Sequence, residues 1–156
     1  MSIKVRKTLM PTIVLTGSVI EDSGLIAGPH IYEITPAKNK IIISSNGKII
    51  TKRDTVLVFY GEVKMEIVPP YSTYPFRQNA DYEEENEIGR LCKIYYTVNG
   101  KDPTRTKKYL WKNRNLYFHY DTSGDSVVLK ARTYYQGKIS DVLTVEFQIK
   151  RANKML

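Results

Sequence analysis

The chain has 156 residues, 42% hydrophobic and 26% charged, the proportions of one globular domain that buries its own core, so wholesale disorder is excluded. Lys and Arg number 24 against 16 Asp and Glu, a net charge of +8, which favours anionic partners such as nucleic acid, acidic lipid or an acidic protein surface. The single cysteine, Cys92, excludes an internal disulfide and reads as a buried thiol in a strand.

In chain order, Lys4, Arg6 and Lys7 precede an apolar stretch from Leu9 to Leu15, but Pro11 and Thr12 interrupt it, so no processed secretory signal is expected. No apolar run reaches the length of a membrane helix. Residues 1–28, punctuated by Pro11, Gly17, Gly24 and Gly28, are expected to form an N-terminal arm or an added edge strand, and residues 29–156 the main domain. Ile41-Ile42-Ile43 and Ile49-Ile50 flank Ser45-Asn46-Gly47-Lys48 as a hairpin, and Val56 to Tyr60 reads as a strand buried on both faces. Val63, Met65 and Ile67 alternate with Glu62, Lys64 and Glu66. A long inserted loop follows at 71–90. Cys92, Ile94, Tyr96 and Val98 then alternate with Lys93, Tyr95 and Thr97, and Asn99-Gly100 gives a strong hairpin-turn signal. Leu116 to Tyr120, Val127-Leu129-Ala131 and Leu143-Val145-Phe147-Ile149 complete the alternating set. Period two dominates and no helical window competes with it. The expected fold is all-β, a sandwich of about seven or eight short antiparallel strands.

Five segments carry a resemblance to a known family. Ile94-Tyr95-Tyr96-Thr97, Asn99-Gly100, Asp102-Pro103-Thr104, Lys130-Ala131-Arg132 and Ser140-Asp141-Val142, which leads into Thr144-Val145-Glu146-Phe147, resemble in order and direction the chitobiase/β-hexosaminidase C-terminal immunoglobulin-like domain over residues 94–149. The resemblance implies an immunoglobulin-like or fibronectin III-like β-sandwich with a scaffold or contact role, and it transfers no catalytic residue. This sequence departs from the family in the long segment before Ile94, and no attached catalytic domain is expected.

Chemistry-bearing patterns are sparse. His30 and His119 lie far apart, no Cys or His has zinc-site spacing, and neither a phosphate loop nor a Gly-x-Ser-x-Gly elbow occurs. The chain is therefore expected not to be an enzyme and to take no metal or cofactor; His119, in an alternating strand, reads as a structural imidazole. Two complementary segments remain. Asp81, Glu83, Glu84, Glu85 and Glu87 sit in the 71–90 loop with Tyr74, Phe76 and Tyr82. Arg105, Lys107, Lys108, Lys112 and Arg114 interleave with Tyr109 and Trp111. Charges at the rim and aromatics as anchors describe a protein interface, so these residues are the candidate interaction site. The expected role is a non-catalytic structural subunit of a larger assembly, such as a bacteriophage capsid decoration protein, found in a virion or an intracellular assembly and bound to capsid proteins or to copies of itself. Two alternatives stay open: a carbohydrate-binding module using Tyr109, Trp111 and Tyr117, and a single-stranded nucleic-acid binder that stacks bases between phosphate contacts.

Overall fold

A computed structural model describes residues 9–20, 24–37, 40–45, 48–50, 56–70, 72–73, 77–78, 91–112, 114–120 and 126–151. The strands are β1 (Thr12–Ile20), β2 (Ile26–Ala37), β3 (Lys40–Ser45), β4 (Lys48–Ile49), β5 (Leu57–Val68), β6 (Ser72–Thr73), β7 (Arg77–Gln78), β8 (Lys93–Thr97), β9 (Leu116–His119), β10 (Ser126–Tyr135), β11 (Lys138–Ile139) and β12 (Leu143–Lys150). A 3₁₀ turn spans Lys107–Tyr109. The protein is all-β. Ten strands form one sheet in the order β11-β10-β12-β5-β1-β2-β3-β4, with β8 also on β10 and β9 also on β5, while β6 and β7 pair separately. Among the described residues no helix is long and apolar enough to cross a membrane.

Alternation in sequence becomes rows of touching side chains. Ile43, Ile34, Ile13 and Ile67 lie opposite one another across four strands, as do Tyr32, Leu15, Met65 and Leu116. On the other half, Val127 faces Phe147, Leu129 faces Val145 and Ala131 faces Leu143. Nearly all of these residues belong to, or pack against, one apolar core. Each fully buried large side chain contributes about 1.5–3 kcal/mol, whereas a solvent-exposed ion pair contributes about 0–1 kcal/mol. Apolar packing therefore holds the fold.

Strand β5 links the two halves. Its partner register on β1 passes from Gly17–Val63 to Ser18–Tyr60, so two extra residues, Gly61 and Glu62, bulge out of β5. Gly61 takes the required positive φ of 87°, which costs glycine little. Because the insertion is two residues, strand parity survives, and Leu57, Phe59, Val63, Met65 and Ile67 all point inward. The N-terminal end of β5 pairs with β12 in parallel, and the segment after the bulge pairs with β9. Phe147 lies opposite Leu57 and Phe118 opposite Val63. Six residues of straight strand would separate those positions by about 20 Å, yet the two rings meet edge to face at 5.6 Å. Phe59 meets Phe147 at 5.9 Å and Tyr32 at 5.7 Å, so aromatic rings from both halves close the interior.

Four expectations are corrected. Residues 12–20 are no arm or edge strand: β1 lies between β2 and β5, with Ile13 and Leu15 wholly buried, and the expected boundary at residue 28 falls within β2. A dense Ile-Val-Leu run at a strand start belongs inside a sheet because both of its faces need cover. The segments 56–60 and 62–68 form one bulged strand, and its first part alternates, with Val58 and Tyr60 half-buried. The sheet holds ten strands rather than seven or eight, and one of its pairings is parallel. Finally, Asn99-Gly100 does turn, with Gly100 at φ 81°, but it closes no hairpin, since the described partner of β8 in the sheet is β10.

Candidate interaction surface: a pinned cationic strap

Beyond β8 the described residues do not return as a strand; residues 98–112 and 114–115 run as a strap anchored at several points. Gly100 N–H donates to the Val128 carbonyl at 3.2 Å, and Lys101 N–H to Asn99 Oδ1 at 3.1 Å. The Thr97 hydroxyl donates to the Lys101 carbonyl, and Pro103 is buried. Asp102 accepts Lys130 Nζ at 3.0 Å. Further on, Tyr109 N–H donates to the Thr106 carbonyl at 2.9 Å and Leu110 N–H to the Lys107 carbonyl at 3.2 Å, which closes the 3₁₀ turn. Leu110 then bridges to Tyr95, and Trp111 N–H donates to the Ile94 carbonyl at 2.7 Å. The strap thereby pairs along the edge of β8 that faces away from β10.

This route buries what the alternation alone would have left wet. Tyr95 and Thr97 share the outward face of β8 with Lys93, yet only Lys93 is exposed. Trp111 is 7% exposed and packs edge to face on Tyr96 at 5.5 Å; burial raises the Tyr96 phenol above its ordinary range. Trp111 is therefore a core anchor for the strap and presents no open face, which corrects its expected role as an interface or sugar-stacking residue. A lone Trp is too large and apolar to leave out when a loop crosses the open end of a core.

The charged residues have the opposite fate. Lys101, Arg105, Lys107, Lys108, Lys112 and Arg114 are all exposed. The Arg105 guanidinium lies 4.0 Å over the Tyr134 ring, and Lys108 Nζ lies 5.0 Å from that of Tyr109, so two of the aromatic neighbours already carry a cation. From Lys93 to Arg114 there are seven cations and one carboxylate, Asp102. The described ion pairs are Asp102–Lys130 and Glu62–His119, the latter at 3.2 Å between half-exposed side chains. Neither engages Arg105, Lys107, Lys108, Lys112 or Arg114.

No family model matches the chain, and neither a curated protein nor a solved structure does. Function is thus read from the surface itself.

Of the expected site residues, Arg105, Lys107, Lys108, Tyr109, Lys112 and Arg114 lie on the strap, with Trp111 beneath it. Tyr74, Phe76, Asp81, Tyr82, Glu83, Glu84, Glu85 and Glu87 lie outside the described residues. Tyr117 is 54% exposed, on β9 opposite Lys64, so the three proposed sugar-stacking rings do not share one open platform. His30 stacks on Tyr32 in β2 at 6.5 Å, and His119 sits in β9. Cys92 is half-buried, and burial pushes its thiol up to about 12. Among the described residues, no three of His, Cys, Asp and Glu gather as a metal site.

Sequence reasoning missed Tyr134, and took Arg132 only as part of a family-like segment. Arg132 Nε and Nη2 donate to the Ser140 carbonyl at 3.1 and 3.0 Å, while Ser140 Oγ accepts Thr133 N–H at 2.9 Å. Tyr134 was legible only as one outward residue of an alternating strand, and nothing local marks it as the seat of Arg105.

Proposed function

We propose that this protein is a non-catalytic interaction module: an immunoglobulin-like β-sandwich that docks, through its cationic strap, onto an acidic protein surface within a larger assembly. The observation that carries the reading is a segment held at Val128, Lys130, Ile94 and Tyr95 that exposes six cations. A rigid charged surface loses little conformational freedom on binding, which favours recognition.

The sandwich reading is supported by the bend of β5 and the aromatic contacts across it. Two bonds join segments that carry the family resemblance: Asp102 to Lys130, and Arg132 to Ser140. A basic immunoglobulin-like chain of this kind suits a bacteriophage virion component such as a capsid decoration protein, and capsid surfaces are the favoured partner.

The test is sedimentation of the chain with candidate particles. The triple variant Lys107→Glu, Lys108→Glu, Lys112→Glu should lose co-sedimentation while keeping its β-type circular dichroism. Unchanged recovery of that variant, or glycan retention on an array that disappears in Tyr117→Ala, would overturn the reading.

A further inference from the structure

Successive side chains on the outward face of β10 are held in different ways. Lys130 is neutralised by Asp102 at 3.0 Å. Two residues on, Arg132 donates through Nε and Nη2 to the Ser140 carbonyl. Two residues further, Tyr134 carries the Arg105 guanidinium 4.0 Å over its ring. Lys93 of β8 is exposed and lies directly opposite Tyr134, on the same face. Directly opposed residues stand about 4.5–5.5 Å apart at Cβ, and alternate residues of one strand about 7 Å apart. Lys93, Arg105 and Arg132 therefore gather three positive charges around one ring.

The described ion pairs, Asp102–Lys130 and Glu62–His119, include none of the three. Both guanidiniums are held all the same, one by a neutral ring and one by a neutral carbonyl, and neither partner cancels charge. An arginine laid flat on an aromatic face keeps its in-plane N–H groups for an oxyanion. Fixed cations gathered without a counterion attract an anion, and their number selects which. Three charges fit a dianion better than the monoanion of a carboxylate or a phosphodiester. Nucleic acid is disfavoured for a second reason, since the ring on which a base would stack already carries Arg105. On its other flank Tyr134 faces Ile139, which is 55% exposed, an apolar neighbour that suits a peptide side chain and adds nothing for a bare phosphate ion.

We propose that Lys93, Arg105 and Arg132 bind a phosphate monoester dianion carried by a phosphorylated side chain of the partner protein, with Tyr134 as the seat that positions Arg105. Such a group brings close to two negative charges at neutral pH and three strong acceptor oxygens, which fixed cations hold by charge-assisted hydrogen bonds. This deepens the strap reading above, by naming what the acidic surface presents, and rests on it. A chain that sediments with particles yet ignores a phosphopeptide would end the phosphate proposal and leave that reading standing.

The probe is the peptide acetyl-Gly-Leu-phosphoserine-Leu-Gly-amide, titrated calorimetrically into the full chain at low salt. It should bind about tenfold or more tighter than its glutamate counterpart and than inorganic phosphate, while the serine counterpart should not bind. Lys93→Gln and Arg105→Gln should each weaken the phosphopeptide by about tenfold. Arg105→Lys, which keeps the charge and loses the planar fork, should lose most of the same affinity. Lys48→Gln with Lys150→Gln removes two exposed charges from other strands and should change it by less than about twofold, because distant exposed charges are screened. Unaltered circular dichroism in each variant keeps these losses assigned to the site. Equal binding of the serine and phosphoserine peptides, an equal loss in the Lys48 and Lys150 double variant, or inorganic phosphate that binds as tightly as the peptide would each overturn the proposal.

Discussion

At the scale of single residues, close approach is decided by positions that look like loop punctuation in the sequence. Gly17 belongs to β1, and a Cβ there would stand 2.6 Å from Cδ1 of Phe59 and 3.1 Å from the Glu62 carbonyl. The Phe59 ring occupies the space a side chain would need, and it in turn contacts Tyr32 and Phe147. Gly17→Ala should therefore lower stability by about 1–3 kcal/mol, read from urea denaturation; an unchanged midpoint would mean that the ring can move aside without loss. Cys92 gives a second outcome. With its thiol pushed up to about 12 from an ordinary 9.0, the reactive thiolate is scarce at neutral pH, so alkylation of the folded chain at pH 8 should run about a thousandfold slower than that of a free thiol. Because the folded value is raised, the protonated thiol supports the fold below pH 9, and that support is lost as pH climbs from 9 toward 12. Labelling at the rate of a free thiol would contradict the burial of Cys92.

At the scale of elements, the strap shows how a turn signal can be sound while the element it suggests is absent. Asn99 and Gly100 carry the chemistry of a tight turn, and the turn forms. The next residues cannot pair back on β8 as a strand, because Lys101 is held by Thr97, Pro103 lacks an N–H, and Asp102 is drawn to Lys130 on β10. The chain returns only at Leu110 and Trp111. Thr97→Val keeps the shape and removes the hydroxyl that holds the Lys101 carbonyl. One net hydrogen bond, about 1 kcal/mol, should be lost. Opening of the strap should rise about fivefold, seen as faster tryptic cleavage after Lys107 and Lys108 in the folded chain; equal cleavage rates would show that the other anchors suffice. The bulge at Gly61 falls on β5 at the boundary between its β12-paired and β9-paired segments.

At the scale of the whole molecule, both halves of the sheet share a core, and the single Trp of the chain lies in it. Loss of either half uncovers the other, so unfolding should be cooperative. Thermal transitions followed by Trp111 fluorescence and by far-ultraviolet circular dichroism should coincide; an early fluorescence change would mean that the strap detaches before the sheet melts. The parallel contact between β12 and β5 is central to this coupling. It joins a strand near the end of the chain to one near residue 60, which makes the fold dependent on pairing between distant segments.

The sequence by itself determined the all-β class and most of the inward faces, though not those of Tyr95, Thr97 and Val98, because a side-chain period of two is a local property of the strand. It also determined the position of the cationic segment, since charge is written in composition. Tertiary structure alone decided that residues 12–20 run through the middle of the sheet, that 57–68 is one bent strand, and that Trp111 turns inward while the cations beside it remain in solvent. Those outcomes depend on which strands become neighbours and which openings of the core need covering. Both are set by contacts between residues far apart in the chain, and no local pattern records them.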